Sequence, residues 1–313
     1  MTDAAPPLAR STLDRAAHHR TDPAWLAGAW SRGRALVVDV AAGGRALVRD
    51  ADTPALVLLP TAEAPSVPEA ARLFLGVEPD DVPVFAVVAE LPEVTGARAA
   101  GLREVGHLLT DRDAGLLTTA VALANWHAGH GYSPVTGRPT RIDEGGWSRV
   151  DDTGHRIWPR TDPAMIVLVH DGVGGPAGRC LLGSNAAWPG QPGRRRFSCL
   201  AGYVEPGESA EAAVVREVAE EVGVPVDRVE YVASQSWPFP GSLMLGFRAV
   251  ADPAWPVRLD PTEISHALWF SRREIGRALA GEPVPVDDTT ALALPPPLSI
   301  AFHLIRHWLE CDD

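Results

Sequence analysis

The sequence predicts an α/β (α+β) chain: a small N-terminal α/β domain, a ribbon-like linker, and a C-terminal domain with a mixed sheet between helices. Three observations carry this. Short apolar runs bounded by Gly, Asp and Pro recur at roughly ten-residue spacing near the N-terminus, the pattern of a small sheet. A stretch rich in Gly, Pro, Thr and Asp follows. Beyond it, strand-like runs alternate with segments of helical period. At 313 residues the chain is long enough for two cores. The expected domains are 1–127, 128–162 and 163–313.

Residues 1 to about 30 are rich in Pro, Ala and Arg and read as peripheral. The runs Ala35–Asp39, Arg45–Val48, Ala55–Leu59, Leu73–Leu75 and Val84–Val88 read as strands. Leu102–His127 reads as one helical segment, with Leu108, Leu109, Leu116, Leu117, Ala120, Val121, Ala124 and Trp126 on its apolar faces. Within the linker, Tyr132–Gly137 and Val150–Gly154 are turns, so the stretch reads as two knuckles joined by a hairpin. Strands are expected at Met165–Val169, Gly178–Leu182, Val229–Ala233 and Ser242–Val250, with Phe197–Leu200 leading into a loop. A final helix, Ile300–Leu309, follows three prolines at 295–297.

The chemistry gathers in Gly202–Val224. A Pro206-Gly207 turn precedes Glu208, Ser209 can cap a helix, and Ala210–Val222 are good helix formers. Ala213, Val214, Val218 and Val222 form one apolar face. Glu217 and Glu221 are four apart and stack on one side, with Glu220 nearby. Like charges at that spacing cost helix stability unless a cation lies between them. A hard divalent ion with oxygen ligands would serve; a solvated acidic face is the alternative reading. Downstream, Ser234–Ser242 (SQSWPFPGS) reads as a rigid loop, because prolines flank Phe239. It displays Trp237 and Phe239 either as a buried plug or as a stacking platform for a flat ring.

The spacing of Gly202, Glu208, Arg216, Glu217, Val218, Glu220, Glu221, Gly223 and Val224 resembles the signature of the Nudix hydrolases. SQSWPFPGS resembles the motif of the NADH pyrophosphatases of the NudC type, departing from it at Ser236, where the family usually has Pro. Leu200–Tyr203, Trp158–Pro163, Pro261–Ile264 and Leu294–Ala301 resemble further family segments.

The resemblance implies a metal-dependent NAD(H) diphosphatase giving NMN(H) and AMP, with NAD-capped RNA 5′ ends as a second substrate. By that resemblance Glu217, Glu220, Glu221, Glu263 and the Ala201 carbonyl hold Mg²⁺ or Mn²⁺, and Glu220 or Glu221 is the general base. Arg216 and Glu208 pair to orient loop and helix. Tyr203, Gln235, Ser236, Trp237, Pro238, Phe239, Ser242, Ala301, Trp158 and Arg103 are the candidate substrate contacts. It also implies a homodimer whose active sites are shared. Which phosphorus is attacked stays open.

The family's four-cysteine zinc ribbon is degenerate here. Its ligand positions correspond to Ser133, Thr136, Val150 and Thr153, so no zinc is expected, and the ribbon is expected to stand by packing around Trp147. His127, His130 and His155 lie nearby and read as structural or exposed histidines rather than as a rebuilt site.

Net charge is −12, which argues against general binding of nucleic acid or acidic membrane by the whole surface. Every cationic side chain among the 28 is arginine, which removes lysine nucleophiles and Schiff bases. Cys180, Cys199 and Cys311 are too far apart to suggest a disulfide framework. The N-terminal stretch does not resemble a signal peptide and no apolar run is long enough to span a bilayer, so a cytoplasmic, membrane-free protein is expected. Two rival readings stand beside the main one: a Nudix hydrolase of another nucleoside diphosphate such as ADP-ribose, and a non-catalytic nucleotide-binding regulator.

Overall fold

The computed structural model describes residues 5–311. The chain forms two compact units. One comprises 7–161 together with 236–242; the other comprises 162–235 and 243 onward.

In the first unit, helix α1 (Pro23–Arg32) starts where Asp22 accepts a hydrogen bond from Trp25 N and Pro23 fills the first turn. Strands β1 (Arg34–Asp39), β2 (Arg45–Arg49), β3 (Ala55–Leu56), β4 (Leu59–Pro60), β5 (Arg72–Val77), β6 (Pro83–Val88) and β7 (Arg98–Gly101) form one sheet. Its path is β3-β2-β1-β6-β5, with β4 on β1 and β7 on β2; only β1 and β6 of the registered pairs run parallel. The expected strand at Ala55–Leu59 is split in two, and β7 was not anticipated.

The single helix expected over Leu102–His127 is two: α2 (Leu102–Val105) and α3 (Asp111–Gly129). The break has a local cause. Thr110 is extended and its side chain accepts from Asp113 N, which starts a new helix. Leu108 falls in the break and is exposed, whereas Leu116, Leu117, Ala120 and Val121 are buried as expected.

A three-stranded ribbon follows: β8 (Thr140–Asp143), β9 (Ser148–Asp151) and β10 (Arg156–Ile157), in the order β10-β9-β8. The two knuckles are held by a carboxylate. Asp151 Oδ2 accepts from Thr136 Oγ1 at 2.6 Å, and its Oδ1 accepts from Thr153 Oγ1 and from the amides of Thr153 and His155. Ser133 Oγ accepts from the amides of Val135 and Thr136. The residues at three of the four degenerate ligand positions thus join hydrogen-bonded knuckles. Trp147 donates Nε1–H to Phe74 O, so the indole is tied as well as packed. His127 bonds Gly146 O through Nε2 and Arg149 through Nδ1, and His130 bonds Trp126 O.

In the second unit, β11 (Asp162–His170), β12 (Arg179–Asn185), β14 (Leu200–Tyr203), β15 (Asp227–Trp237), β16 (Ser242–Val250) and β17 (Ile264–Ser271) form a sheet, the tips of β15 and β16 at 236–237 and 242 being counted with the first unit, and β13 (Arg194–Arg196) and β18 (Ala291–Ala293) make a small parallel pair. The order is β15-β16-β11-β12-β17, with β14 on β11. Helices α4 (Ala210–Val222), α5 (Arg272–Leu279) and α6 (Ile300–Glu310) complete it.

Strand periodicity explains the layers. Met165, Val167 and Val169 pack in a core with Ala213, Val214, Val218 and Val222 of α4. Ile166 and Leu168, pointing the other way, pack in a core with Ile300, Leu304, Ile305 and Trp308 of α6. The sheet therefore lies between helices. The segment Ser234–Ser242 is less of a loop than expected. β15 runs through Trp237 and β16 begins at Ser242. The residue before a proline favours extended backbone, so Pro238 lets the strand reach Trp237 before ending it.

Candidate active site

Ser209 caps α4 by accepting from Ala212 N at 3.1 Å, and Gly223 ends it in the left-handed conformation at φ 67°. The last turn leaves carbonyls without helical partners. Two amides from a later loop take them: Arg258 N donates to Val222 O at 2.8 Å and Asp260 N to Glu221 O at 3.0 Å. Trp255 Nε1 donates to Gly223 O. Asp260 then folds its own loop by accepting from the amide and hydroxyl of Thr262. The loop ends at Glu263, whose charge acts on both Glu217 and Glu221.

Arg216 organises the other side. Its Nη2 donates to Glu208 Oε1 at 2.5 Å and its Nε to Glu208 Oε2 at 3.2 Å, a forked pair. Nη2 also reaches Tyr203 O, while Nη1 lies 2.9 Å from Glu220 Oε2 and 3.0 Å from Glu217 Oε1. Glu208 accepts from Glu205 N as well, so its carboxyl is held below the usual range, chiefly by Arg216.

Glu217 and Glu221 are buried; Glu220 and Glu263 are exposed. Burial raises the Glu217 carboxyl despite Arg216. Burial, then the charges of Glu217 and Glu263, push Glu221 up to about 8, although the Ala201 amide counters this. Glu221 Oε2 is buried without a hydrogen-bond partner among the described residues. These three facts fit a bound cation, which would hold Glu221 ionised: an orphaned carboxyl oxygen, three more carboxylates acting on it, and hard oxygen donors throughout. No three acidic, histidine or cysteine side chains among the described residues form a ready-made cage. Arg216 shares Glu217 and Glu220 with any such ion.

The candidate substrate residues divide between the two units. Tyr203 is exposed on β14. Gln235 is buried, with its amide donating to Leu298 O at 3.0 Å, and Ala301 is buried in the first turn of α6. In the other unit, Trp237 and Phe239 meet edge to face at 5.1 Å. The Arg103 guanidinium lies 4.1 Å from the Phe239 ring centre and 5.3 Å from that of Trp237. Asn125 Nδ2 fixes the turn by donating to Pro238 O. Pro238 and Ser242 are buried, Ser236 is half-buried, and Trp158 is exposed. Asn125, Arg258 and Asp260 had no signal in the sequence, since each acts through a partner far along the chain.

Family profiles match two parts of the chain: a NUDIX domain over residues 160–288, and an NADH pyrophosphatase-like rudimentary NUDIX domain over 31–126. The NAD-capped RNA hydrolase NudC of Mycobacterium tuberculosis is 41% identical, across 98% of this chain and 96% of that protein. The NAD-capped RNA hydrolase NUDT12 of Macaca fascicularis is 39% identical, over 65% of this chain and 43% of that one. The mitochondrial NAD(P)H pyrophosphatase NUDT13 of Mus musculus is 38% identical, over 71% and 62%. A likeness of that strength along almost the full length of both chains places this enzyme within the Nudix hydrolases, in the NudC-type family.

Proposed function

We propose that the enzyme hydrolyses the diphosphate of NAD(H) to AMP and NMN(H), and removes NAD from capped RNA 5′ ends by cutting the same bond. The observation that carries this is the buried Glu221 carboxylate, with an unpartnered oxygen, on a helix aligned with Glu217 and Glu220. SQSWPFPGS and the printed names of the relatives support the NAD(H) substrate.

Glu217, Glu220, Glu221, Glu263 and the Ala201 carbonyl would hold Mg²⁺ or Mn²⁺. When bound, the ion supplies charge neutralisation on the diphosphate and raises the acidity of the attacking water. The chain does the rest. Arg216 and Glu208 lock the loop to the helix, which keeps the carboxylates aimed. Glu220 or Glu221 would take the proton of the attacking water as general base. Tyr203 offers a ring face at the loop entrance. Trp237 and Phe239, braced by Arg103, offer a second aromatic platform. Gln235, Ser242 and the Ala301 backbone would supply hydrogen bonds to the substrate. A homodimer in which one subunit's aromatic segment serves its partner's site, in the cytoplasm, completes the proposal. No described helix is long and apolar enough to cross a membrane.

The test is product analysis of NADH, NAD⁺ and ADP-ribose with Mg²⁺ or Mn²⁺, beside Glu221→Gln. Release of AMP and NMNH, lost in the variant, is the expected result. Cleavage of ADP-ribose with NADH untouched would overturn the substrate and leave the hydrolase.

A further inference from the structure

The first unit contains a cavity of about 520 Å³ that shares no residue with the acidic site. The approach to α1, the start of β5 and the ribbon strands β8 and β10 line it, and four of the lining residues are Arg20, Arg72, Arg141 and Arg156. Arg156 is spent: it pairs with Glu144, and with Asp143 at 2.9 Å. Arg20 and Arg72 are not. Neither guanidinium makes an ion pair or hydrogen bond to a described residue, and the Nε of each is buried without an acceptor.

Both guanidiniums are nonetheless held in place. Arg20 lies 3.6 Å from the centre of the Trp147 ring, whose Nε1–H is fixed on Phe74 O. Arg72 lies 4.4 Å from the centre of the Trp30 ring. Aromatic faces orient a guanidinium and leave its N–H edge free to donate. Arg15 adds a further positive charge at 5.3 Å from Trp147. Arg141 sits at the rim, mostly exposed, 3.8 Å from Asp143. The remaining acidic lining residue, Glu69, is exposed. Burial and Arg15 both work against the charge on Arg20, and Glu144 offsets this only in part.

Oriented guanidiniums with no ion pair, lining a cavity of ligand size, make an anion site. Planar forks suit phosphate oxygens. We propose that this cavity binds the phosphate of a nucleotide, either a free nucleoside monophosphate or a phosphate of an RNA chain.

The test uses the full-length enzyme in EDTA, titrated by calorimetry with AMP, adenosine, inorganic phosphate and a 5′-phosphorylated single-stranded RNA oligonucleotide. The variants are Arg20→Gln with Arg72→Gln, and the rim substitution Arg141→Gln. The proposal expects AMP or RNA to bind, adenosine not to, and the double variant to lose at least tenfold in affinity with NADH turnover kept. Arg141→Gln, at an exposed position, should lose a few-fold, so a double variant that fails to fold leaves the test intact. Binding of AMP alone assigns free nucleotide as the source; RNA binding that inorganic phosphate competes away assigns the RNA chain. Adenosine binding as well as AMP, no binding by any probe, or affinities unchanged in the folded variants would overturn the site.

Discussion

The carboxylate of Glu217 lies directly against the backbone of Gly202: a Cβ on that glycine would stand 1.9 Å from Glu217 Cδ. β14 and α4 approach this closely because position 202 carries no side chain. Gly202→Ala should therefore displace the carboxylate rather than the strand, since the carboxylate is the movable end of a flexible chain. The expected outcome is a loss in kcat of about 10–100-fold, in line with the cost of misplacing a reacting group by roughly an ångström. Thermal melting should shift little, and the two measurements on one preparation separate aim from stability.

Arg216→Lys tests the fork. Lysine keeps the charge but cannot bond both oxygens of Glu208, Tyr203 O and two further carboxylates together. Turnover of NADH should fall by about tenfold or more while the Tm stays within a few degrees, because the pair is partly solvated and contributes modestly to stability. Steady-state kinetics with a melt on the same sample decides it.

Asp151→Ala should loosen the ribbon. The substitution strands Thr136, Thr153 and the amides of Thr153 and His155 at once. Those bonds hold the Asp151 carboxyl well below its ordinary value, chiefly through Thr136 and Thr153. Its stabilisation is thus full above the unfolded carboxyl range and is lost as pH falls from there through the lower folded value. A lower Tm at neutral pH, and faster hydrogen exchange in residues 133–155, are the expected readouts.

His127 gives a pH dependence of its own. Burial pushes it from 6.5 to about 4, and Gly146 O and Arg149 satisfy its neutral ring. Between those values the unfolded chain binds a proton that the folded chain does not. Stability from this residue is full above pH 6.5 and drains as pH falls toward 4. The loss from pH 7 to pH 5 is at most about 2 kcal/mol. Denaturant melts of wild type and His127→Gln at both pH values should show a smaller acid decrement in the variant.

The parts legible in the sequence were those set by near neighbours. Ser209, the valine face and the glutamates of α4 are local spacings, and the structure forms the helix at the residues expected, Ala210–Val222. The alternating strand β11 was legible for the same reason. What escaped was set by distant partners or by a single competing cap. Thr110 split one expected helix into two. Trp237 ends a strand, in a segment whose prolines read as a rigid loop. Asp151, read only as part of a turn, is the centre of the ribbon.

The amides of Arg258 and Asp260, seated on the last carbonyls of α4, carry a mechanical consequence. Glu263 and Glu221 are borne on one splinted lever, although they are far apart in the chain. The loop cannot swing outward without first uncapping the helix. Its opening and the fraying of the last helical turn are therefore one event, with one rate.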